Sequence, residues 1–108
     1  MYIFPSLSKN LKKKRDKVYI NSITGTQSQL TYVSLEPGET TCHIHPNEQI
    51  GYVISGKIEI IIDSKKYICQ SGDGFCIPSN IEHGFKVISK KNATYIEIFC
   101  PPKKENIL

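Results

Sequence analysis

Residues 38–56 read Gly-Glu-Thr-Thr-Cys-His-Ile-His-Pro-Asn-Glu-Gln-Ile-Gly-Tyr-Val-Ile-Ser-Gly, and this stretch decides the fold. His43 and His45 are two apart, so on an extended strand both imidazoles leave from the same face. Pro46 and Asn47 turn the chain, which brings the carboxylate of Glu48 or the amide of Gln49 back toward the two rings. Two imidazoles and an oxygen donor make a metal site short of one ligand. His83 is the remaining histidine of the chain, and it too lies in a segment bounded by glycine and proline.

The flanking sequence reads as strands separated by turns with a physical cause. Upstream, Lys17–Ile23 is a strand broken by Thr24-Gly25-Thr26. Gln29–Leu35 alternates, with Leu30, Tyr32 and Ser34 on one face and Thr31, Val33 and Leu35 on the other. Glu36-Pro37-Gly38-Glu39 is a turn, because proline fixes φ and glycine supplies a positive one. Thr40–His45 is then the strand that carries the histidine pair.

Downstream, Gln49–Ile54 ends at Ser55-Gly56, a two-residue hairpin signal, with Lys57–Ile62 as the partner strand. Asp63–Lys66 turns into Tyr67–Cys69, and Ser71–Gly74 turns into Phe75–Ile77, which Pro78-Ser79-Asn80 terminates. His83–Ile88 and Ala93–Cys100 are the last strands. No apolar i, i+3, i+4 repeat of helical length occurs. The spacing predicts an all-β barrel or sandwich of about eight to ten short strands.

At 108 residues the chain is read as one domain over 1–108, with 1–17 as a basic N-terminal arm or loop and 101–108 as a C-terminal tail. The apolar run Ile58–Ile62, interrupted by Glu59, is far below the ~20 residues of a membrane-spanning helix. The first residues carry neither a charged leader nor a long apolar stretch, so a cytoplasmic location is expected. Cys42, Cys69, Cys76 and Cys100 show no paired close spacing, which predicts reduced thiols, most of them small core residues.

Net charge is +4. Lys9–Lys17 holds six basic residues against Asp16. With no aromatic interleaving and a near-neutral remainder, this run reads as a solvated face and not as a nucleic-acid surface.

Gly38, His43, His45, Gln49 and Gly56, followed by Gly72, Pro78, Asn80 and His83, resemble the two motifs of the cupin superfamily. In the first, a glycine precedes His-x-His, then an acidic or amide ligand, then a hairpin glycine. In the second, glycine is followed by proline, a small residue and histidine. The family usually has glycine at position 80, and asparagine tolerates the same left-handed backbone.

The resemblance implies a single-domain cupin β-barrel (double-stranded β-helix, or jelly roll) with one divalent transition metal held by His43, His45, Gln49 and His83. Zn, Ni, Fe, Co, Mn and Cu all suit such a set. A neutral amide in place of a carboxylate leaves the ion its full charge, which makes it a stronger Lewis acid.

The C-terminal Tyr-Ile-Glu-Ile-Phe-Cys-Pro-Pro-Lys of residues 95–103 resembles the ending of small cupins that open unsaturated uronates to linear keto forms. That likeness implies Glu97 beside the metal as the catalytic acid or base, and Phe99 and Lys103 as substrate contacts. Glu97 stands where those cupins have an aspartate and Lys103 where they have an arginine. Glu97 and Phe99 are two apart and can share a face. By the same parity Phe85 and Val87 share a face with His83, which puts Phe85 in the barrel lining, whereas Tyr52 has the opposite parity to Gln49.

The expected function is therefore metal-dependent, non-redox chemistry on a small polar carbonyl or carboxylate metabolite: ring opening, isomerisation, cyclisation or dehydration. Two other readings fit the same residues, a cupin dioxygenase using Fe, Ni or Cu with O2, and a metal-containing sugar-binding module without turnover. Expected partners are a small-molecule substrate and a second copy of the chain, paired through exposed strand edges; neither nucleic acid nor membrane is expected.

Overall fold

The computed structural model describes residues 2–40 and 42–108. Among the described residues ten strands form two antiparallel sheets: β1 Lys12–Arg15, β2 Val18–Thr24, β3 Gln29–Leu35, β4 Gly38–Glu39, β5 Glu48–Ser55, β6 Lys57–Ile62, β7 Lys65–Gln70, β8 Gly74–Ile77, β9 His83–Val87 and β10 Ala93–Cys100. One sheet has the order β1-β2-β3-β10-β5-β8 and the other β4-β9-β6-β7. Single 3-10 turns at Leu7–Lys9 and Lys104–Asn106 are the helical content among the described residues, and no helix is long and apolar enough to cross a membrane.

Alternation sends one side of each strand inward. Val18 and Ile20 of β2, Val33 and Leu35 of β3, Val53 of β5, Ile58 and Ile60 of β6, Phe85 and Val87 of β9, and Tyr95 of β10 meet in one buried cluster. β10 is an interior strand of the larger sheet, pairing with β3 along one edge and β5 along the other. Its inward residues are Ala93, Tyr95, Glu97 and Phe99.

Three expectations from the sequence are corrected. Ser55-Gly56 is not a hairpin. β5 pairs with β10 and β8, and β6 with β7 and β9, so Gly56 carries the chain from one sheet to the other. Its φ of 86° suits glycine, and a Cβ there would lie 2.7 Å from the Ala93 Cα. The two-residue hairpin instead joins β6 to β7 at Asp63-Ser64, both at positive φ, as the right-handed twist of paired strands favours.

Thr40–His45 is not a continuous strand. β4 stops at Glu39, and after the bond from the Thr40 N–H to the Phe85 carbonyl (2.9 Å) the ladder resumes only at a single His43–His83 bridge. Four steps along this segment (39 to 43) face three along β9 (86 to 83). One extra residue therefore breaks the ladder, as in a bulge; Thr41, within that gap, lies outside the described residues. Finally, the thiols are free as expected, but only Cys69 is buried, while Cys42, Cys76 and Cys100 are exposed.

Candidate metal centre and active site

The bridge that interrupts the ladder also places the histidines. His43 N–H donates to the His83 carbonyl (2.9 Å) and His83 N–H to the His43 carbonyl (3.0 Å), tying the first motif to β9. Ile44 points outward, 60% exposed, leaving His43 and His45 on the inner side. Ring centroids lie 5.5 Å apart for His43–His45 and 4.7 Å for each of these with His83. One ring nitrogen from each falls within 4.8 Å of the others. Gln49, at the start of β5, is buried, whereas Glu48 is exposed as strand alternation requires.

The ring protons and the amide orientation fit a cation. His83 Nδ1 sits 2.8 Å from the Ile81 carbonyl, so that nitrogen carries the proton, and its buried Nε2 has no partner among the described residues. His45 Nδ1 is 3.0 Å from the Asn47 carbonyl and its Nε2 is 3.2 Å from Gln49 Oε1. Burial first, then the Lys103 charge, depresses the His45 pKa. A neutral ring has one N–H, so it cannot satisfy both of these acceptors. Gln49 Nε2 donates to Glu97 Oε1 at 2.7 Å, which fixes the amide with its oxygen toward the histidines. With the His45 proton on Nδ1, toward the Asn47 carbonyl, lone pairs of His45, His83 and Gln49 converge, and backbone carbonyls orient two of the rings from behind. That pattern fits a divalent transition ion. His43 belongs to the same cluster, its pKa lowered to about 3 by burial and next by Lys103.

Glu97 faces inward, 5% exposed. Burial pushes its carboxyl up to about 7, against the opposing effects of the Gln49 hydrogen bond and of Lys103, Lys14 and Arg15. Opposite it in β5 is Gly51. A Cβ on Gly51 would lie 2.1 Å from Phe75 Cζ, so the missing side chain leaves room for the far end of the Phe75 ring. Phe75, Phe85 and Tyr95 pack within 5.6–5.8 Å of one another, and Phe85 and Tyr95 also line the cavity. Phe99 lies edge-on to His45 at 5.9 Å, with the Lys103 ammonium 5.3 Å from its ring centre.

The structure brings together the residues assigned above to the metal, catalytic and substrate roles, and leaves the alternative ligand Glu48 exposed. His43, Gln49, Phe85, Glu97, Phe99 and Lys103 line one cavity, with His45 and His83 in contact with its wall through Gln49, Phe99 and Phe85.

Three further residues escaped the sequence reading. Lys14 and Arg15, in the run taken as a solvated face, also line the cavity, and so does Asn106. Asn106 is 2% exposed. Its Oδ1 accepts from Lys14 Nζ at 2.6 Å and its carbonyl from the Ser22 hydroxyl, so residues 104–106 fold back as part of the wall. A short lysine run adjoining a strand was the only available signal, and hydrophobic periodicity does not register inward cations.

The comparisons agree with this architecture. The cupin domain profile matches residues 31–99. The pectin degradation protein KdgF of Dickeya dadantii (strain 3937) is 32% identical over 66 residues, 60% of this chain and 59% of that protein. The polyketide synthase CurC of Streptomyces cyaneus is 25% identical over 82 residues, 74% of this chain and 53% of that one. The chain thus spans somewhat more than half the length of the curated relatives it matches. The solved structure of KdgF from Halomonas sp. superposes with a TM-score of 0.88 at 21% identity, covering 97% of both chains, a likeness of fold. With the profile covering most of the chain and both histidine motifs inside it, the protein belongs to the cupin domain family.

Proposed function

We propose that this protein is a metal-dependent cupin enzyme that opens or isomerises a small carbonyl- or carboxylate-bearing metabolite, of which an unsaturated uronate is the leading example, without oxidation. The observation that carries this reading is the Gln49 side chain. Its oxygen faces the histidine cluster at 3.2 Å and its nitrogen holds the buried Glu97 carboxyl at 2.7 Å. A candidate ion site and a proton carrier are thereby fixed side by side in one cavity.

In this proposal His43, His45, Gln49 and His83 hold one divalent transition metal, which when bound polarises a substrate oxygen as a Lewis acid. Glu97 moves the proton. Ring opening of a cyclic hemiacetal releases a hydroxyl proton as the ring C–O bond breaks, and the enol formed must regain a proton on carbon. A carboxyl whose pKa is raised to about 7 can take the first and return it in the second, so the sequence balances with no oxidant. The Gln49 amide holds Glu97 in place for both steps. Phe99 and Phe85 present apolar faces to the substrate and exclude water, while Lys103 offers a positive charge to a carboxylate.

We also propose a homodimer. Ile50, Tyr52 and Ile54 on the outer side of β5 are 48%, 50% and 40% exposed, a row of apolar side chains that a second copy would cover.

The decisive experiment is product analysis with metal-loaded protein and a panel of unsaturated uronates and keto acids, run with and without oxygen. An open-chain isomer formed equally well under anaerobic conditions is the expected result. A strict oxygen requirement, or saturable binding with no product, overturns the proposal.

A further inference from the structure

The basic strand β1 has an irregularity that changes what its side chains do. Lys13 pairs with Tyr19 and Arg15 with Val18, so two steps on β1 match one on β2. A regular pleat sends neighbouring side chains to opposite faces, but across this bulge Lys14 and Arg15 both reach the cavity wall.

Lys14 is only 13% exposed at its side chain. Its ammonium donates to Asn106 Oδ1 at 2.6 Å and lies 3.7 Å from Glu105 Oε1. The same Glu105 oxygen is 2.6 Å from Lys103 Nζ. One carboxylate therefore serves two lysines, and burial together with the neighbouring Lys103 charge lowers the Lys14 pKa to about 8. Arg15 has no carboxylate within ion-pair distance among the described residues. Even with Glu97 counted as ionised, three cations stand against two carboxylates here. Uncompensated charge in a partly desolvated site is costly unless a counter-charge arrives, and Arg15 presents the flat fork of donors that pairs with two carboxylate oxygens at once.

We propose that β1 forms the recognition seat for a carboxylate of the ligand, with Arg15 as its principal contact and Lys14 and Lys103 beside it, so that the cavity selects small sugar acids over their uncharged counterparts. This inference rests on the reading of the cavity as the substrate site, and not on the reaction carried out there.

The test is calorimetric titration of the zinc-loaded protein with galacturonate and with galactose, for the wild type and for Arg15→Gln and Arg15→Lys. The expected result is binding of galacturonate at least about tenfold tighter than galactose. A charge-assisted pair implies that Arg15→Gln weakens galacturonate about 10- to 100-fold and leaves galactose unchanged, with Arg15→Lys between. Since the Arg15 side chain has no ion-pair partner among the described residues and stands in an excess of positive charge, the melting temperature of Arg15→Gln should equal or exceed that of wild type, which separates recognition from folding. Equal affinity of Arg15→Gln and wild type for galacturonate overturns the inference, as does equal affinity of the wild type for the two sugars. Repeating the titration after chelation separates this seat from the metal chemistry. A preference that persists and still depends on Arg15 supports the seat even if no turnover is found, whereas a preference lost with the metal assigns the carboxylate to the ion and refutes the seat.

Discussion

Replacing Glu97 by glutamine isolates the cost of keeping a carboxyl inside the barrel. Burial raises the Glu97 pKa from 4.5 to about 7, and each unit corresponds to about 1.4 kcal/mol of difference between protonation states. The folded protein therefore holds this proton more tightly than the unfolded chain between about pH 4.5 and 7. The stability this group contributes is fully present below pH 4.5 and is lost as pH rises through 7, a total of about 3 kcal/mol. Glutamine keeps the Gln49 contact, because its amide oxygen can accept from the Gln49 nitrogen, and it has nothing to titrate. The assay is equilibrium urea unfolding of chelator-treated wild type and Glu97→Gln at intervals from pH 4.5 to 8. Subtracting the two curves cancels the histidines. Their depressed pKa values act with the opposite sign, withdrawing stability as pH falls below 6.5. The wild type should lose about 3 kcal/mol relative to the variant across the interval. A difference that is flat in pH, or that favours the wild type as pH rises, would refute the placement of a carboxyl whose burial outweighs its neighbouring charges.

Three further outcomes are expected. His45→Ala and Gln49→Ala should each reduce bound zinc at least about tenfold in equilibrium dialysis, while Glu97→Gln retains zinc and loses turnover; full turnover by that variant removes Glu97 from the mechanism. Gly51→Ala forces the Phe75 ring off the strand and should cost about 1–3 kcal/mol by overpacking, read as a lower urea midpoint with an unchanged slope. In native protein a thiol reagent should modify Cys42, Cys76 and Cys100 quickly and Cys69 only after unfolding; rapid labelling of all four would show that the sheets part more readily than this packing allows.

The sequence carried the residues that act through local pattern. Two-residue periodicity put Glu97 and Phe99 on one face of β10 and His83, Phe85 and Val87 on one face of β9, and all five are buried. Backbone chemistry was equally readable: Gly38 and Asn80 adopt the positive φ values, 110° and 61°, that their turns require. What local pattern could not convey was partnership. Ser55-Gly56 and Asp63-Ser64 both look like tight turns, yet only the second joins paired strands, because the first is followed by a strand whose hydrogen bonds go to β9 and β7. The inward aim of Lys14 and Arg15 likewise depends on how β1 registers against β2. In isolation six basic residues within nine are indistinguishable from a solvated surface.

The passage of the chain through Gly56 has a mechanical consequence. Gln49 belongs to the six-stranded sheet and His83 to the four-stranded one, with His43 stitched to His83 by two backbone bonds. An ion shared by these side chains would act as a clasp across the seam between the layers. Prising the layers apart would then require releasing the ion, and added metal would stabilise their union in proportion to its occupancy. A residue far from the chemistry that loosens the seam should therefore show itself first as a faster rate of metal loss.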